Sequence, residues 1–125
     1  MNKKNKVLIV DDEQDILDML QYIMEKEGYE VKIARSGPEA IAIAQDFQPK
    51  LILLDIMMPL MDGIETCRNL REIEELKEVI IVFLTARSEE YSEIAAFEAG
   101  ANDYIVKPIN VETFYSVVEK QLSLE

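Results

Sequence analysis

Short apolar runs alternate with amphipathic helical patterns along the whole chain, and this alternation limits the fold more than any other feature. Four of the runs are three to five residues long and rich in aliphatic residues, and they begin at Val7, Leu51, Ile80 and Tyr104. Such runs are typical of strands in a parallel sheet, because helices cover both faces of that sheet. A fifth strand is predicted over Glu30–Ala34, where apolar and polar residues alternate, and it is expected nearer an edge.

Helical patterns fill the intervals between these strands, and their ends carry recognisable capping residues. Gly28 ends the first helix, and Ser36 opens the second. Asp62-Gly63 precedes the third, which is expected to run from Ile64 to roughly Ile73. Ser88 caps the fourth helix and Asn110 caps the last. Five successive βα units predict the α/β class. The expected architecture is a doubly wound (flavodoxin-like) five-stranded parallel sheet of order 2-1-3-4-5, with helices on both faces. No linker interrupts the pattern, so residues 1–125 are predicted to form a single domain.

Polar residues suited to phosphoryl chemistry follow the four apolar runs. Asp11-Asp12 follows the first strand, Asp55 the third, Thr85 the fourth and Lys107-Pro108 the last. Ligands of such sheets bind outside the carboxyl ends of the strands, so these side chains are expected to converge on one edge. Three crowded carboxylates repel each other, and Mg²⁺ relieves this because it prefers carboxylate, water and phosphate oxygens. The lysine adds a compact positive charge, and the threonine hydroxyl can hydrogen-bond a phosphoryl oxygen.

Each of these residues also has an ordinary structural interpretation. The pair Asp11-Asp12 lies just before a helix, where an acidic residue commonly acts as an N-cap. Thr85 could simply start a turn, and Lys107 could be one of the thirteen basic residues at the surface. The combination at one sheet edge therefore supports a site more strongly than any single residue does.

The composition disfavours several other classes of function. The chain has 25 acidic and 13 basic residues, a net charge of −12, so direct nucleic-acid binding is not expected. It has no histidine, which removes the commonest general base and metal ligand, so catalysis would need carboxylates, lysine or a metal. The single cysteine, Cys67, excludes an internal disulfide and fits a reducing, cytoplasmic location. No apolar stretch approaches transmembrane length, and there is no signal-peptide pattern, so no membrane association is expected.

Five motifs in order give the chain a resemblance to the receiver domain of bacterial two-component response regulators, of the chemotaxis-regulator type. The resemblance extends from Lys6 to about Leu122. The motifs are Val10-Asp11-Asp12-Glu13, Asp55-Ile-Met-Met-Pro59-Leu-Met-Asp62-Gly63, Leu84-Thr85-Ala86, Gly100-Ala-Asn-Asp103-Tyr104 and Lys107-Pro108. Each motif is only moderately specific alone, but five at the expected spacing are highly specific.

The resemblance implies a phosphoacceptor signalling domain in a phosphorelay rather than an enzyme acting on other molecules. Asp55 would accept a phosphoryl group from a histidine kinase or phosphotransfer protein, and the domain would catalyse its own phosphorylation and dephosphorylation. Asp11, Asp12 and Asp55, with the backbone carbonyl of Met57, would hold Mg²⁺, or Mn²⁺ in its place.

The resemblance also implies a conformational switch that controls an output domain or partner. Thr85 and Lys107 would contact the phosphoryl group, and Tyr104 would be the switch aromatic residue. The peptide bond before Pro108 would be cis, which is affordable for an X–Pro bond. The partner would dock on the surface formed by the fourth helix, the last strand and the last helix.

The first helix carries more apolar residues than one core-facing stripe requires. Leu17, Leu20 and Met24 form that stripe, and a second stripe consists of Ile16, Met19 and Tyr22. Part of the second stripe is expected to face solvent and to dock the histidine kinase or phosphotransfer protein. The alternatives are that it covers a neighbouring helix or forms a homodimer contact.

Three other functions fit the pattern less well. A phosphatase of the haloacid-dehalogenase type needs a nucleophile on the first strand and a second acid two residues later, whereas Asp55 follows the third strand and position 57 is Met57. A nucleotide-binding domain needs a loop rich in glycine, serine or threonine after the first strand, where this chain has Asp-Asp-Glu. A receiver used only for protein interaction should have lost part of the site, and none is lost here.

Overall fold

The five predicted strands form one parallel sheet. The computed structural model describes residues 6–86 and 95–123. Its strands are β1 (Lys6–Val10), β2 (Glu30–Ala34), β3 (Leu51–Asp55), β4 (Ile80–Ala86) and β5 (Asp103–Lys107). Their order in the sheet is β2-β1-β3-β4-β5, and all neighbouring pairs are parallel. The predicted fold class and strand order are therefore confirmed.

Helices cover both faces of this sheet. They are α1 (Gln14–Lys26), α2 (Gly37–Phe47), α3 (Gly63–Arg71), a short 3-10 helix (Glu74–Leu76), a helical segment at residues 95–98 (α4) and α5 (Val111–Ser123). Every helix in the described ranges is too short or too polar to cross a membrane. The predicted start of the fourth helix at Ser88 lies outside the described residues.

The predicted capping residues lie where the helices begin and end. Ser36 Oγ accepts a hydrogen bond from the Glu39 amide at the start of α2, and Asn110 Oδ1 accepts one from the Thr113 amide at the start of α5. Gly28 follows α1 with a φ of +96°, a left-handed conformation that favours glycine. These local features set the residues at which the helices begin and end.

Successive side chains of the central strands enter two separate cores. Val7 and Ile9 of β1 pack with the apolar residues of α1 and α5, whereas Leu8 and Val10 pack with those of α2, α3 and α4. β3 is buried along its whole length, and so is β4 up to its last residue. Burial on both faces explains why these strands are uninterrupted apolar runs.

Arg71 forms hydrogen bonds with several segments at the amino-terminal ends of β4 and β5. The predicted third helix ends at this residue rather than near Ile73, and the 3-10 helix follows it. The Arg71 guanidinium donates to the backbone carbonyls of Gly100, Leu76, Lys77 and Val79 and to the Asn102 side chain. Burial lowers its pKa from the usual range. The polar residues of the predicted site lie at the other end of the strands, where the strands have their carboxyl ends.

Candidate functional site

The acidic side chains meet where the neighbouring strands β1 and β3 end. Val10 pairs with Leu54 in the sheet register, so Asp11 and Asp55 leave the two strands at the same level. Both carboxylates are buried, with Asp11 at 0% and Asp55 at 3% exposure, while Asp12 is exposed. Parallel strands bring their carboxyl ends to one edge, and this places side chains far apart in sequence beside each other.

The three carboxylates could hold a divalent cation. One oxygen from each of Asp11, Asp12 and Asp55 lies within 4.8 Å of the other two. Asp11 Oδ2 is fully buried and makes no hydrogen bond of normal geometry among the described residues, although it forms an ion pair with Lys107. A buried carboxylate oxygen without a hydrogen bond is costly unless a positive charge offsets it. Hard oxygen ligands at this spacing fit Mg²⁺ or Mn²⁺.

Lys107 is a basic residue at this edge, and it faces three carboxylates. Its Nζ lies 3.0 Å from Asp11 Oδ2, 2.9 Å from Glu13 Oε1 and 3.4 Å from Asp55 Oδ1. The lysine comes at the end of β5, and the Lys107–Pro108 peptide bond that follows is cis. One ammonium thus shares its charge among three anions, so the described site remains net negative.

The electrostatics of the site follow from burial and crowding. Burial raises the pKa of the Asp55 carboxyl to about 7, and repulsion by Asp11 adds to this rise. Burial also raises the pKa of Asp11, against the opposing effect of the Glu13 amide and Lys107. Burial alone would lower the pKa of Lys107, but its bonds to Glu13 and Asp11 and its attraction to Asp55 raise it above the usual range. The site therefore favours added positive charge.

An open pocket gives access to Asp55 from solvent. The pocket has a volume of about 440 Å³, and it is lined by Asp12, Glu13, Asp55, Met57, Ala86 and Lys107. Met57 is 57% exposed, and its backbone amide donates a 3.3 Å hydrogen bond to Asp55 Oδ1. The volume is sufficient for a phosphoryl group with its surrounding water molecules.

The predicted residues Thr85 and Tyr104, like Asp11 and Pro108, lie outside the lining of this pocket. Thr85 is buried, and its hydroxyl donates a long hydrogen bond of 3.4 Å to the Ala86 carbonyl. Tyr104 lies on β5, partly buried, and its ring packs edge-on against Phe97 of α4 with centroids 6.0 Å apart. The sheet therefore brings together the carboxylates, Met57 and Lys107 directly, whereas Thr85 and Tyr104 lie behind them.

Glu13 belongs to the site although its sequence pattern assigned it no role. It is the N-cap residue of α1, and its carboxylate makes the shortest contact of the Lys107 ammonium. The two residues are 94 positions apart, and no local pattern pairs them. Its place directly after Asp11-Asp12, where the strand turns into the helix, was the available signal.

The second apolar stripe of α1 is only partly open to solvent. Tyr22 is 67% exposed. Ile16 and Met19 are partly buried and pack against the core shared with α5. Part of the stripe therefore faces solvent as expected, and part contributes to the core.

Comparison with known proteins identifies the family of this arrangement. The family model described as "Response regulator receiver domain" matches residues 7–119 of the chain. The chain belongs to this family. Receiver domains are the phosphoacceptor signalling domains of two-component systems, and that is the function of this chain.

Relatives of this receiver domain agree in sequence and in structure. The alkaline phosphatase synthesis transcriptional regulatory protein PhoP of Bacillus subtilis (strain 168) is 44% identical over 110 residues, which is 88% of this chain and 44% of that protein. The receiver domain thus spans less than half the length of this curated relative.

Among solved structures, chemotaxis protein CheY4 of Vibrio cholerae is 34% identical, with a TM-score of 0.87 over 92% of this chain and 96% of that one. The receiver domain of a signal transduction histidine kinase from Syntrophus aciditrophicus is also 34% identical, with a TM-score of 0.86 over 95% of this chain and 90% of that one.

Proposed function

We propose that Asp55 is the phosphoacceptor and that it takes its phosphoryl group from the phosphohistidine of a histidine kinase or phosphotransfer protein. The supporting observation is the position of its carboxylate, which lies at the end of buried β3, opens into the pocket and is 3.4 Å from Lys107. Asp11 and Asp12, with Asp55 and the backbone carbonyl of Met57, would hold Mg²⁺, or Mn²⁺ in its place. When bound, the cation offsets negative charge on the phosphoryl oxygens.

The hydrogen bonds of Asp55 indicate which oxygen reacts. Among the described residues, both hydrogen bonds to this carboxylate, from the Met57 amide and from Lys107, end on Oδ1. Oδ2 is therefore the oxygen left to attack phosphorus. The new O–P bond forms as the N–P bond of the phosphohistidine breaks, and the leaving imidazole takes a proton. Lys107 offsets charge on the transferred group, in keeping with catalysis by positioning and electrostatics.

The same site would also serve dephosphorylation. Hydrolysis of the acyl phosphate returns Asp55 to its carboxylate form and releases phosphate, with water as the attacking group. Because the pocket is open to solvent at Met57, water can approach the phosphorylated side chain from that side. The domain would thus promote both its own phosphorylation and its own dephosphorylation without acting on other substrates.

Phosphorylation would change the surface formed by α4, β5 and α5. The Thr85 hydroxyl, now held by one long hydrogen bond, would turn to a phosphoryl oxygen. Its movement would leave space for Tyr104, whose ring contacts Phe97 on that surface, to turn inward. An output domain or partner that binds one arrangement better than the other would read this change. Most of the predicted fourth helix lies outside the described residues.

The partners proposed for the chain follow from its surface and its relatives. The exposed Tyr22, with Ile16 and Met19 beside it, would form part of the docking surface for the kinase or phosphotransfer protein, or of a homodimer. We place the single domain, residues 1–125, in the cytoplasm, where the buried free thiol of Cys67 stays reduced. PhoP is named a transcriptional regulatory protein, which supports transcription as the output of the whole protein. The acidic domain itself would not contact DNA.

Acetyl phosphate and intact mass spectrometry test the phosphoacceptor directly. The wild-type domain should gain one phosphoryl group in the presence of Mg²⁺ and none when EDTA removes it. Asp55→Ala should gain none, whereas Asp46→Asn, which removes an exposed carboxylate from α2, should behave as the wild type does. Normal labelling of Asp55→Ala would show that another residue accepts the group.

A further inference from the structure

We propose that Glu13 is a positioning residue for Lys107. In the unphosphorylated domain it holds the ammonium at the mouth of the pocket, and it releases the ammonium when a phosphoryl oxygen arrives on Asp55. The inference rests on the proposed function of Asp55 as phosphoacceptor. It starts from an ion pair between residues 94 positions apart, which none of the recognised motifs accounts for.

The Lys107 ammonium makes hydrogen bonds to Glu13 Oε1 and Asp55 Oδ1 and an ion pair with Asp11 Oδ2. A lysine ammonium has three N–H donors. Three carboxylates surround it, with Glu13 Oε1 at 2.9 Å, Asp11 Oδ2 at 3.0 Å and Asp55 Oδ1 at 3.4 Å. A phosphoryl oxygen on Asp55 would therefore compete with these carboxylates for the ammonium.

The exposure of the three carboxylates decides which contact is lost. The Glu13 side chain is 61% exposed, so water can solvate its carboxylate as soon as the lysine leaves. The Asp11 side chain is 0% exposed, so water cannot take the place of the lysine beside its charge. Exposed ion pairs contribute little to stability, whereas breaking a buried pair on one side is costly. Glu13 is thus the partner that exchanges for the phosphoryl oxygen.

The backbone holds Glu13 in place for this role. Its amide donates a 2.9 Å hydrogen bond to Asp11 Oδ1, and it is the extended N-cap residue of α1. Its carboxylate also lines the pocket through which a phosphodonor must enter. It therefore opposes phosphorylation twice, because it competes for Lys107 and because its charge repels an anionic donor.

Replacing Glu13 with glutamine removes the competing charge and keeps the side chain's size. At saturating Mg²⁺, Glu13→Gln should react with acetyl phosphate about two to five times faster than the wild type, in line with the small free energy of an exposed ion pair. The matched control is Asp15→Asn, which removes a charge from the first turn of the same helix but makes no contact with Lys107. The effect of this control on the phosphorylation rate should be less than about half of the effect of Glu13→Gln.

A second measurement follows Lys107 itself in metal-free protein. Lysines are acetylated with N-hydroxysuccinimidyl acetate, and the rate at Lys107 is mapped by peptide mass spectrometry and normalised to the rate at exposed Lys26. This rate should be at least about twofold faster in Glu13→Gln than in the wild type, because the Lys107 ammonium has lost the Glu13 carboxylate. An unchanged rate at Lys107, or a phosphorylation rate equal to or below that of the wild type, would overturn the role of Glu13. Labelling that persists in Asp55→Ala would instead overturn the proposed phosphoacceptor.

Discussion

Replacing Asp55 with asparagine should stabilise the metal-free domain at alkaline pH, although it removes the proposed phosphoacceptor. The Asp55 carboxylate is buried beside Asp11, and its pKa is raised from 3.8 to about 7. A raised pKa means that the folded state prefers the protonated form. The stabilising contribution of that proton is complete below about pH 4 and is lost as the pH rises through 7. Above pH 7 the folded protein carries an unfavourable buried charge.

The size of the effect follows from the change in pKa. A rise from 3.8 to about 7 corresponds to about 4 kcal/mol of free energy of unfolding. The attraction of Lys107 is already included in that pKa. Because relaxation and water penetration reduce the cost of a buried charge, the variant should gain about 2 kcal/mol at pH 8, which corresponds to about 6–10 °C in melting temperature for a domain of this size.

Thermal unfolding followed by circular dichroism in EDTA, at pH 8 and at pH 5, measures this gain. Asp55→Asn should melt above the wild type at pH 8, and the difference should fall to less than half at pH 5, where folded wild-type Asp55 is protonated and only the unfolded chain still ionises. Other titrating groups are common to both proteins and cancel in the comparison. A variant no more stable than the wild type at pH 8, or one with the same gain at both pH values, would refute the buried-charge explanation.

Three further predictions concern the cation, the docking surface and Arg71. Mg²⁺ at about 100 times its dissociation constant should add about 2.7 kcal/mol to the stability of the wild type, and equal stabilisation of Asp12→Ala in thermal melts would exclude Asp12 as a ligand. Tyr22→Ser should slow phosphotransfer from the cognate kinase but leave acetyl phosphate labelling and melting temperature intact, since Tyr22 is 67% exposed; equal slowing with both donors would count against docking. Arg71→Ala should lower the free energy of unfolding in urea by about 2–4 kcal/mol, because it leaves several backbone carbonyls unpaired. Arg68→Ala, on the exposed face of the same helix, should cost less than about 0.5 kcal/mol, and equal losses would mean that these bonds contribute nothing specific.

Local patterns in the sequence predicted the elements of the fold and their order. Runs such as Leu51–Leu54 are apolar throughout because β3 is covered on both faces, and Ser36 and Asn110 cap helices through bonds to residues three positions away. The third helix was less well predicted. It ends at Arg71, where carbonyls from the following turn and from Gly100 bind the guanidinium, and those distant carbonyls leave no periodic pattern.

The sequence alone also determined which residues meet at the carboxyl edge of the sheet, because a parallel sheet brings its strand ends together whatever the side chains do. Only the tertiary structure decided how those side chains pair. Glu13 binds Lys107 more closely than Asp55 does, the Thr85 hydroxyl turns to the Ala86 carbonyl, and Met19 is partly buried against the core. The physical reason is that strand and helix patterns repeat over a few residues, whereas ion pairing and burial depend on distances between side chains that the folded backbone alone sets.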